Sequence, residues 1–368
     1  MSKILLINPS KWGRGITPIW IASHAGLLKS NGHSVELFDA TFYKDWTNNE
    51  VKFNTDNKQY KPSNYLNAIK FKNQNVIENL QLFIDKFDPD VIFWSAISSH
   101  IHGEGEYVNI QYGYELIKNL NLKNKLLITG GLQATASPKN IFSNYNKINY
   151  LIKGESEKVL LDIANLIEIN KNKCSSIDEN FEQIKGISYI KNSKLKTTPR
   201  QNIISNLDDL KKYDYSLFED QIFYRSYNGD IVRAVDYELS RGCVFTCSYC
   251  VETIIQKYYG FEDNKRGVLK NAKDYIRNKS ADRIFEEIIY LRNNLKIDLF
   301  RCQDTNFLTI NREVLKDLSL KFKSYNENIK LYIETRPEGI NDFTVSLLKD
   351  LKVDGVGMGL EVSAEGFR

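Results

Sequence analysis

Along the first 170 residues, short unbroken apolar runs alternate with longer stretches whose apolar positions recur at helical spacing. Runs of that kind suit strands covered on both faces, as in a parallel sheet flanked by helices. The pattern predicts strands at Lys3 to Asn8, Ser34 to Asp39, Val91 to Ile97, Lys125 to Gly131 and Tyr150 to Gly154. Helices around Trp20 to Asn31, Asn75 to Phe87, Tyr107 to Leu120 and Glu157 to Ile169 would supply right-handed crossovers. Five such strands predict a flavodoxin-like (Rossmann-like) α/β domain over residues 1–170, with the polar stretch Thr41 to Gln74 as an insertion.

Residues 171–230 read as a linker, in which Gly186 to Ile190 would cap the sheet and Leu207 to Leu210 begins the passage to a second domain. Residues 231–368 then alternate again. Val235 to Ser240, Ile297 to Cys302, Lys330 to Thr335 and Gly355 to Glu361 read as strands. Arg283 to Leu295, Arg312 to Lys323 and Asp342 to Leu351 read as helices between them. That order predicts a partial β/α barrel, whose chemistry belongs at the carboxyl ends of its strands.

Composition changes this picture little. A chain of 368 residues, 42% hydrophobic and 26% charged, has room for two globular domains. Net charge is +4 from 50 basic and 46 acidic residues with no concentrated basic tract, which gives no support to nucleic-acid binding. The run Met1 to Asn8 is too short for a signal peptide, and no apolar stretch is long enough to span a membrane, so the chain is expected to be cytoplasmic. Five cysteines, three of them clustered, suit a reducing compartment better than a disulfide framework.

The cluster carries the chemistry. In the run Ser240-Arg241-Gly242-Cys243-Val244-Phe245-Thr246-Cys247-Ser248-Tyr249-Cys250, three thiols converge at C-x3-C-x2-C spacing and a fourth is missing. Structural zinc normally closes four-coordinate, whereas a cubane held by three cysteines leaves one iron open to a reactant. The alternatives are a zinc knuckle completed by Cys302 or Cys174 and three packed core cysteines.

This triplet, with an aromatic Tyr249 just before the third cysteine, resembles the signature of radical S-adenosylmethionine enzymes. The resemblance implies a 4Fe-4S cluster on Cys243, Cys247 and Cys250, with S-adenosylmethionine chelated at the open iron and Tyr249 beside the cluster and the adenine. Other polar residues at strand ends would complete the cofactor site. They are Asp304 of Asp304-Thr305-Asn306-Phe307, Glu334 and Arg336, and Glu361 of Gly359-Leu360-Glu361. Carboxylates there can accept ribose hydroxyls or the methionine ammonium, and Arg336 can pair with a carboxylate. The plainer alternative is a set of salt bridges that only hold loops.

The first domain resembles the cobalamin-binding domain that precedes many such barrels. The resemblance rests on Asp90 to Ser95, Leu127 to Gly131, Lys153-Gly154-Glu155-Ser156-Glu157, Pro18 to Leu28 and Asn31 to Val35. It implies that Ser95, Gly130 and Gly131 flank the dimethylbenzimidazole tail, with Gly154 and Glu155 at the next strand end. Glycines there let a flat ligand approach the backbone, and a serine hydroxyl can bond a polar ligand edge. A cofactor-free domain whose glycines only make turns is the alternative. The motif D-x-H-x2-G, whose histidine would ligate cobalt, is absent from Asn8-Pro9-Ser10-Lys11-Trp12-Gly13, which implies that any bound cobalamin is base-off without a protein histidine. His100 and His102 follow the third strand and read as loop residues, while His24 and His33 read as helix and turn residues.

Together the resemblances imply a cobalamin-dependent radical enzyme. It would cleave S-adenosylmethionine to a 5′-deoxyadenosyl radical and most often transfer methyl to an unactivated carbon. Radical rearrangement or cyclisation, and a non-catalytic fragment that only binds cofactors, are the other readings. The implied partners are a small-molecule or peptide substrate and an electron donor such as flavodoxin or ferredoxin. Four barrel strands precede Arg368 where the resemblance implies six, so the chain is expected to be part of a longer protein, the alternative being a second chain that supplies the missing half.

Overall fold

The computed structural model describes residues 1–12, 16–47, 65–96, 106–171 and 180–359. The apolar runs become β1 (Lys3–Asn8), β2 (Ser34–Asp39), β3 (Val91–Ala96), β4 (Leu126–Gly131) and β5 (Tyr150–Ile152). They pair in parallel in the order β2-β1-β3-β4-β5. The order reverses between β1 and β3, where Ile4 sits opposite Val91. The main crossover helices are α1 (Ile19–Ser30), α2 (Val76–Phe87), α3 (Glu106–Ile117) and α4 (Glu157–Lys171). In α2, Asn75 accepts from the backbone of Ile77 and Glu78, and Val76, Leu80 and Ile84 form the buried stripe.

Several boundaries differ from the pattern. The fifth strand stops at Ile152 because Gly154 turns into the left-handed region at φ 73°. Part of the expected linker extends the sheet: β6 (Ile187–Lys191) and β7 (Lys194–Thr197) add an antiparallel edge. They are joined through Asn192 and Ser193, both at positive φ, as a two-residue hairpin requires. The insertion returns at Tyr65–Ala68, a short helix packed against the second domain.

The second domain opens with a hairpin of which the apolar pattern marks only the end of β9: β8 (Tyr224–Tyr227) and β9 (Asp230–Tyr237), turned by Asn228-Gly229. A two-residue pair follows, β10 (Ser240–Arg241) with β11 (Arg277–Asn278). Then come β12 (Leu299–Cys302), β13 (Lys330–Thr335) and β14 (Val353–Met358), parallel to β9 in the order β14-β13-β12-β9-β8. Helices α5 (Glu252–Tyr259), α6 (Ala281–Leu295), α7 (Arg312–Ser324) and α8 (Asp342–Asp350) complete the units. Ser280 caps α6, which begins two residues before the expected Arg283, and Asn341 with Thr344 forms a capping box on α8. On β13, Leu331, Ile333 and Thr335 are buried while Tyr332 and Glu334 occupy the other face.

One apolar core runs through both sheets. Helix α1 lies inside it, buried from Trp20 to Leu28, because the chain after Leu210 crosses its outer face. There the backbone N–H of Asp214 donates to the Ala22 carbonyl at 2.9 Å, and a Cβ on Gly26 would collide with the Lys212 carbonyl oxygen. No helix among the described residues is long and apolar enough to cross a membrane.

Candidate functional site

The carboxyl ends of the two sheets face each other across a cleft with about 1300 Å³ of empty space, open solvent included. Asn8 and Ser10 after β1, with Ser95 of β3, bring the point where the first sheet reverses its order. Asp236 of β9 and Gln303 after β12 bring the strand ends of the second sheet from the other side. Each is where its architecture places ligands. The cleft reaches Gly242, immediately before Cys243, and Glu252 at the start of the helix after the cysteine loop.

The loop is built by contacts far apart in sequence. Asp304, 1% exposed, accepts from the backbone of Ser240 at 2.6 Å, from its hydroxyl at 2.5 Å and from the backbone of Leu239 at 3.1 Å. Those bonds end β9 and launch the turn. Burial pushes the Asp304 carboxyl up to about 7, with Glu238 adding to the shift and the Ser240 bonds opposing it. Gly242 follows at φ 95°, where a Cβ would press on the Tyr275 carbonyl oxygen. Gln256 of α5, 2% exposed, donates to the carbonyls of Cys243 at 3.1 Å and Phe245 at 2.9 Å. The backbone of Thr246 donates to Gly267, and that of Cys250 to Cys247.

Cys243 is buried, Cys247 and Cys250 are half-buried, and none of the described cysteines is in a disulfide. Burial pushes the Cys243 thiol up to about 11, a cost that metal ligation reverses by taking the thiolate. Among the described residues, no three His, Cys, Asp or Glu side chains close around a single ion. Three thiols on one loop, with Arg336 Nη1 donating to Cys247 Sγ at 3.3 Å, form a soft set suited to an iron-sulfur cluster.

The other expected site residues divide. Tyr249, 62% exposed, lies on the loop between the second and third cysteines. Ser95 lines the cleft at 1% exposure, and its Oγ has no hydrogen-bond partner among the described residues, which leaves a buried hydroxyl for a ligand. Gly130 instead faces Ile152 and Phe93 in the sheet, and Gly131, at φ 103°, turns the chain into the short helix Leu132–Ala136. Gly154 admits the close approach of Tyr258 and Tyr259 from α5, a packing role between domains. Glu155 lines the cleft while accepting from Arg277 at 2.7 Å, Arg241 at 3.3 Å and the Ile204 backbone at 3.0 Å. Glu334 sits with Tyr332 on the half-buried face of β13, where burial pushes its carboxyl up to about 7 against the pull of Arg301. Glu361, His100, His102 and Cys174 lie outside the described residues.

Neither described histidine lines the cleft. His24 bonds the Trp20 carbonyl at 2.6 Å and Ser156 Oγ at 2.9 Å, and His33 bonds Asn165 at 3.0 Å. Cys302 is buried in the core.

Two groups escape sequence reading. Asp236 takes both Arg225 Nη1 at 3.0 Å and Nη2 at 2.7 Å, the Thr17 hydroxyl and backbone from the first domain, and Gln303 Nε2 at 2.8 Å. Burial would raise that carboxyl, but Arg225 and Arg301 hold it well below the usual range. Gln303 Oε1 is left without a partner among the described residues. Arg241 donates to Glu238 at 2.7 Å and to Glu157 at 2.6 Å. Burial alone would raise Glu157, yet Arg241 and His24 bring it down to about 2. The position of Arg241, two residues before Cys243, is the one signal that could have marked this group.

Residues 237–367 match the family model described as Radical SAM superfamily. An uncharacterised methyltransferase of Pyrococcus horikoshii is 24% identical over 278 residues, covering 76% of this chain and 53% of that protein. The anaerobic magnesium-protoporphyrin IX monomethyl ester cyclase of Cereibacter sphaeroides is 24% identical over 191 residues, covering 52% of this chain and 29% of that protein. The radical S-adenosylmethionine methyltransferase TsrM of Kitasatospora setae, solved with tryptophan substrate and a S-adenosylmethionine analogue, superposes with TM-score 0.66 at 16% identity. That superposition covers 100% of this chain and 60% of TsrM. A second TsrM structure, with cobalamin and a 4Fe-4S cluster bound, gives TM-score 0.62 at 16% identity over 98% of this chain and 61% of TsrM. The chain thus spans about half the length of the first relative and less than two thirds of TsrM. Its described residues share the TsrM fold, and its residues 237–367 are similar to the Radical SAM superfamily.

Proposed function

We propose that the chain is the cofactor-binding part of a cobalamin-dependent radical S-adenosylmethionine enzyme, acting most often in methyl transfer to an unactivated carbon. The observation that carries this reading is the cleft itself. A cysteine loop suited to a cluster borders the same cavity as the point of reversed strand order in the α/β sheet.

When bound, the cluster would supply the electron that splits S-adenosylmethionine, and cobalamin the methyl carrier. Cys243, Cys247 and Cys250 would hold the cluster, and Asp304 and Gln256 keep their loop in one conformation. Ser95 offers a hydroxyl to a ligand edge at the end of β3. Apolar Ile16, Pro18, Ile19 and Trp20 line the cleft beside its polar groups. The substrate and the electron donor, a flavodoxin or ferredoxin by resemblance, belong to this proposal as well. The cyclase relative favours a second reading, radical cyclisation on the same cofactors.

The test is anaerobic reconstitution with iron, sulfide and cobalamin, reduction, and assay of 5′-deoxyadenosine from S-adenosylmethionine, with a Cys243→Ala, Cys247→Ala, Cys250→Ala triple variant beside it. Product that depends on the three cysteines supports the reading. S-adenosylhomocysteine formed alongside points to methyl transfer, and its absence to cyclisation. No iron or sulfide uptake by the unsubstituted chain overturns the reading.

A further inference from the structure

Arg336 leaves the carboxyl end of β13 and reaches back across the barrel face to the cysteine loop, 89 residues earlier in the chain. Its Nη1 lies 3.3 Å from Cys247 Sγ, and its guanidinium carbon lies 4.3 Å from the centroid of the Phe245 ring, two residues before that cysteine. Glu338 holds the rest of the fork, accepting from Nη2 at 2.5 Å and from Nε at 3.2 Å. The side chain is 33% exposed in this pose, with its charged end against the loop. An arginine fixed on one side by a carboxylate and stacked on an aromatic ring has little freedom to leave the sulfur.

We propose that Arg336 is a positioning residue that sets the reduction potential of a cluster ligated by Cys247. The inference rests on the cysteine loop being a cluster site. Reducing a 4Fe-4S cluster adds one electron and no proton, so one further unit of negative charge spreads over the irons and their thiolates. A cation that hydrogen-bonds a ligating sulfur stabilises the reduced form more than the oxidised form. Arg336 therefore raises the potential and eases entry of the electron. This differs from the carboxylate-pairing role that the sequence suggests for the same residue, since it acts before S-adenosylmethionine binds. Lysine keeps the charge but has neither the planar fork nor the ring stacking, so it restores only part of the effect.

The experiment compares the unsubstituted chain, Arg336→Gln and Arg336→Lys after anaerobic reconstitution with iron and sulfide, without S-adenosylmethionine. Iron and sulfide contents are measured first, and the potential is then read by EPR during titration with dithionite as the electron source. Arg336→Gln is expected to keep the full cluster content while its reduction constant falls about tenfold, 59 mV for one electron, with Arg336→Lys in between. If Arg336→Gln assembles no cluster, Arg336→Lys carries the comparison, and a lowered potential there supports the inference. An unchanged potential in the variant that is measured overturns it, including when affinity for S-adenosylmethionine falls, which would assign Arg336 to the substrate carboxylate. No iron uptake by the unsubstituted chain overturns the cluster reading instead, and the inference with it.

Discussion

Arg241 Nη2 donates to Glu157 Oε1 at 2.6 Å, joining the strand that launches the cysteine loop to the first turn of the helix after β5. The same guanidinium reaches Glu238 at 2.7 Å and Glu155 at 3.3 Å, and Arg277 adds a 2.7 Å bond to Glu155. All five side chains are at most 14% exposed. The cysteine loop is thus tied to the first domain by charge as well as by packing.

Replacing Arg241 with Met leaves three buried carboxylates short of a cation. The expected loss is about 3 to 5 kcal/mol, read as a lower urea midpoint, because an unpaired buried charge costs more than the pair contributes. Arg241→Lys keeps the charge and is expected to lose less. Equal midpoints for Arg241→Met and the unsubstituted chain would show that these carboxylates reach water.

Gly154→Ala places a methyl group against Tyr259 and Tyr258 at φ 73°, where an L residue is strained. About 1 to 3 kcal/mol of destabilisation is expected by thermal melting. Adding Tyr259→Phe removes the nearest oxygen and is expected to recover part of it. A loss of cobalamin binding with unchanged stability would instead make Gly154 a ligand contact.

Asp304→Ala strips partners from two backbone N–H groups and a hydroxyl, all buried. Each orphaned group costs about 1 to 3 kcal/mol, so faster hydrogen exchange at Leu239 and Ser240 and reduced iron uptake are expected. Exchange at the rate of the unsubstituted chain would show that the loop does not depend on this carboxyl.

Glu334 links stability to pH. Its carboxyl is raised to about 7 when folded, against about 4.3 unfolded, so its neutral form favours the folded state. That contribution is complete below about pH 4 and is lost as pH rises to about 7. Glu334→Gln is expected to flatten the stability profile in this window. The slope should change by at most about 1.4 kcal/mol per pH unit, less the screening by solvent that reaches the side chain. Parallel profiles for the two proteins would place Glu334 in water.

The first domain was legible because strands buried on both faces leave unbroken apolar runs, and β1 ends where its run ends. The buried end of β9 was legible as a strand, but β8 and the first half of β9 were not, although Asn228-Gly229 marks their turn, since those segments are half-polar and leave no apolar run. The three cysteines were legible for a different reason. Metal-ligand spacing within one loop is a local property, and chain order alone records it.

What only tertiary structure decided is which distant groups meet. Arg241 and Glu157 are 84 residues apart, Arg277 and Glu155 are 122, and Thr17 and Asp236 are 219. No periodicity carries such a pairing, because a buried charge is tolerated only where folding brings its partner. The sequence by itself determined two α/β units and a loop of three thiols. The packing of α1, α5 and the two sheets decided that Gly154 would serve an interface, that Asp304 would hold a turn, and that Ser95 would open onto a cleft.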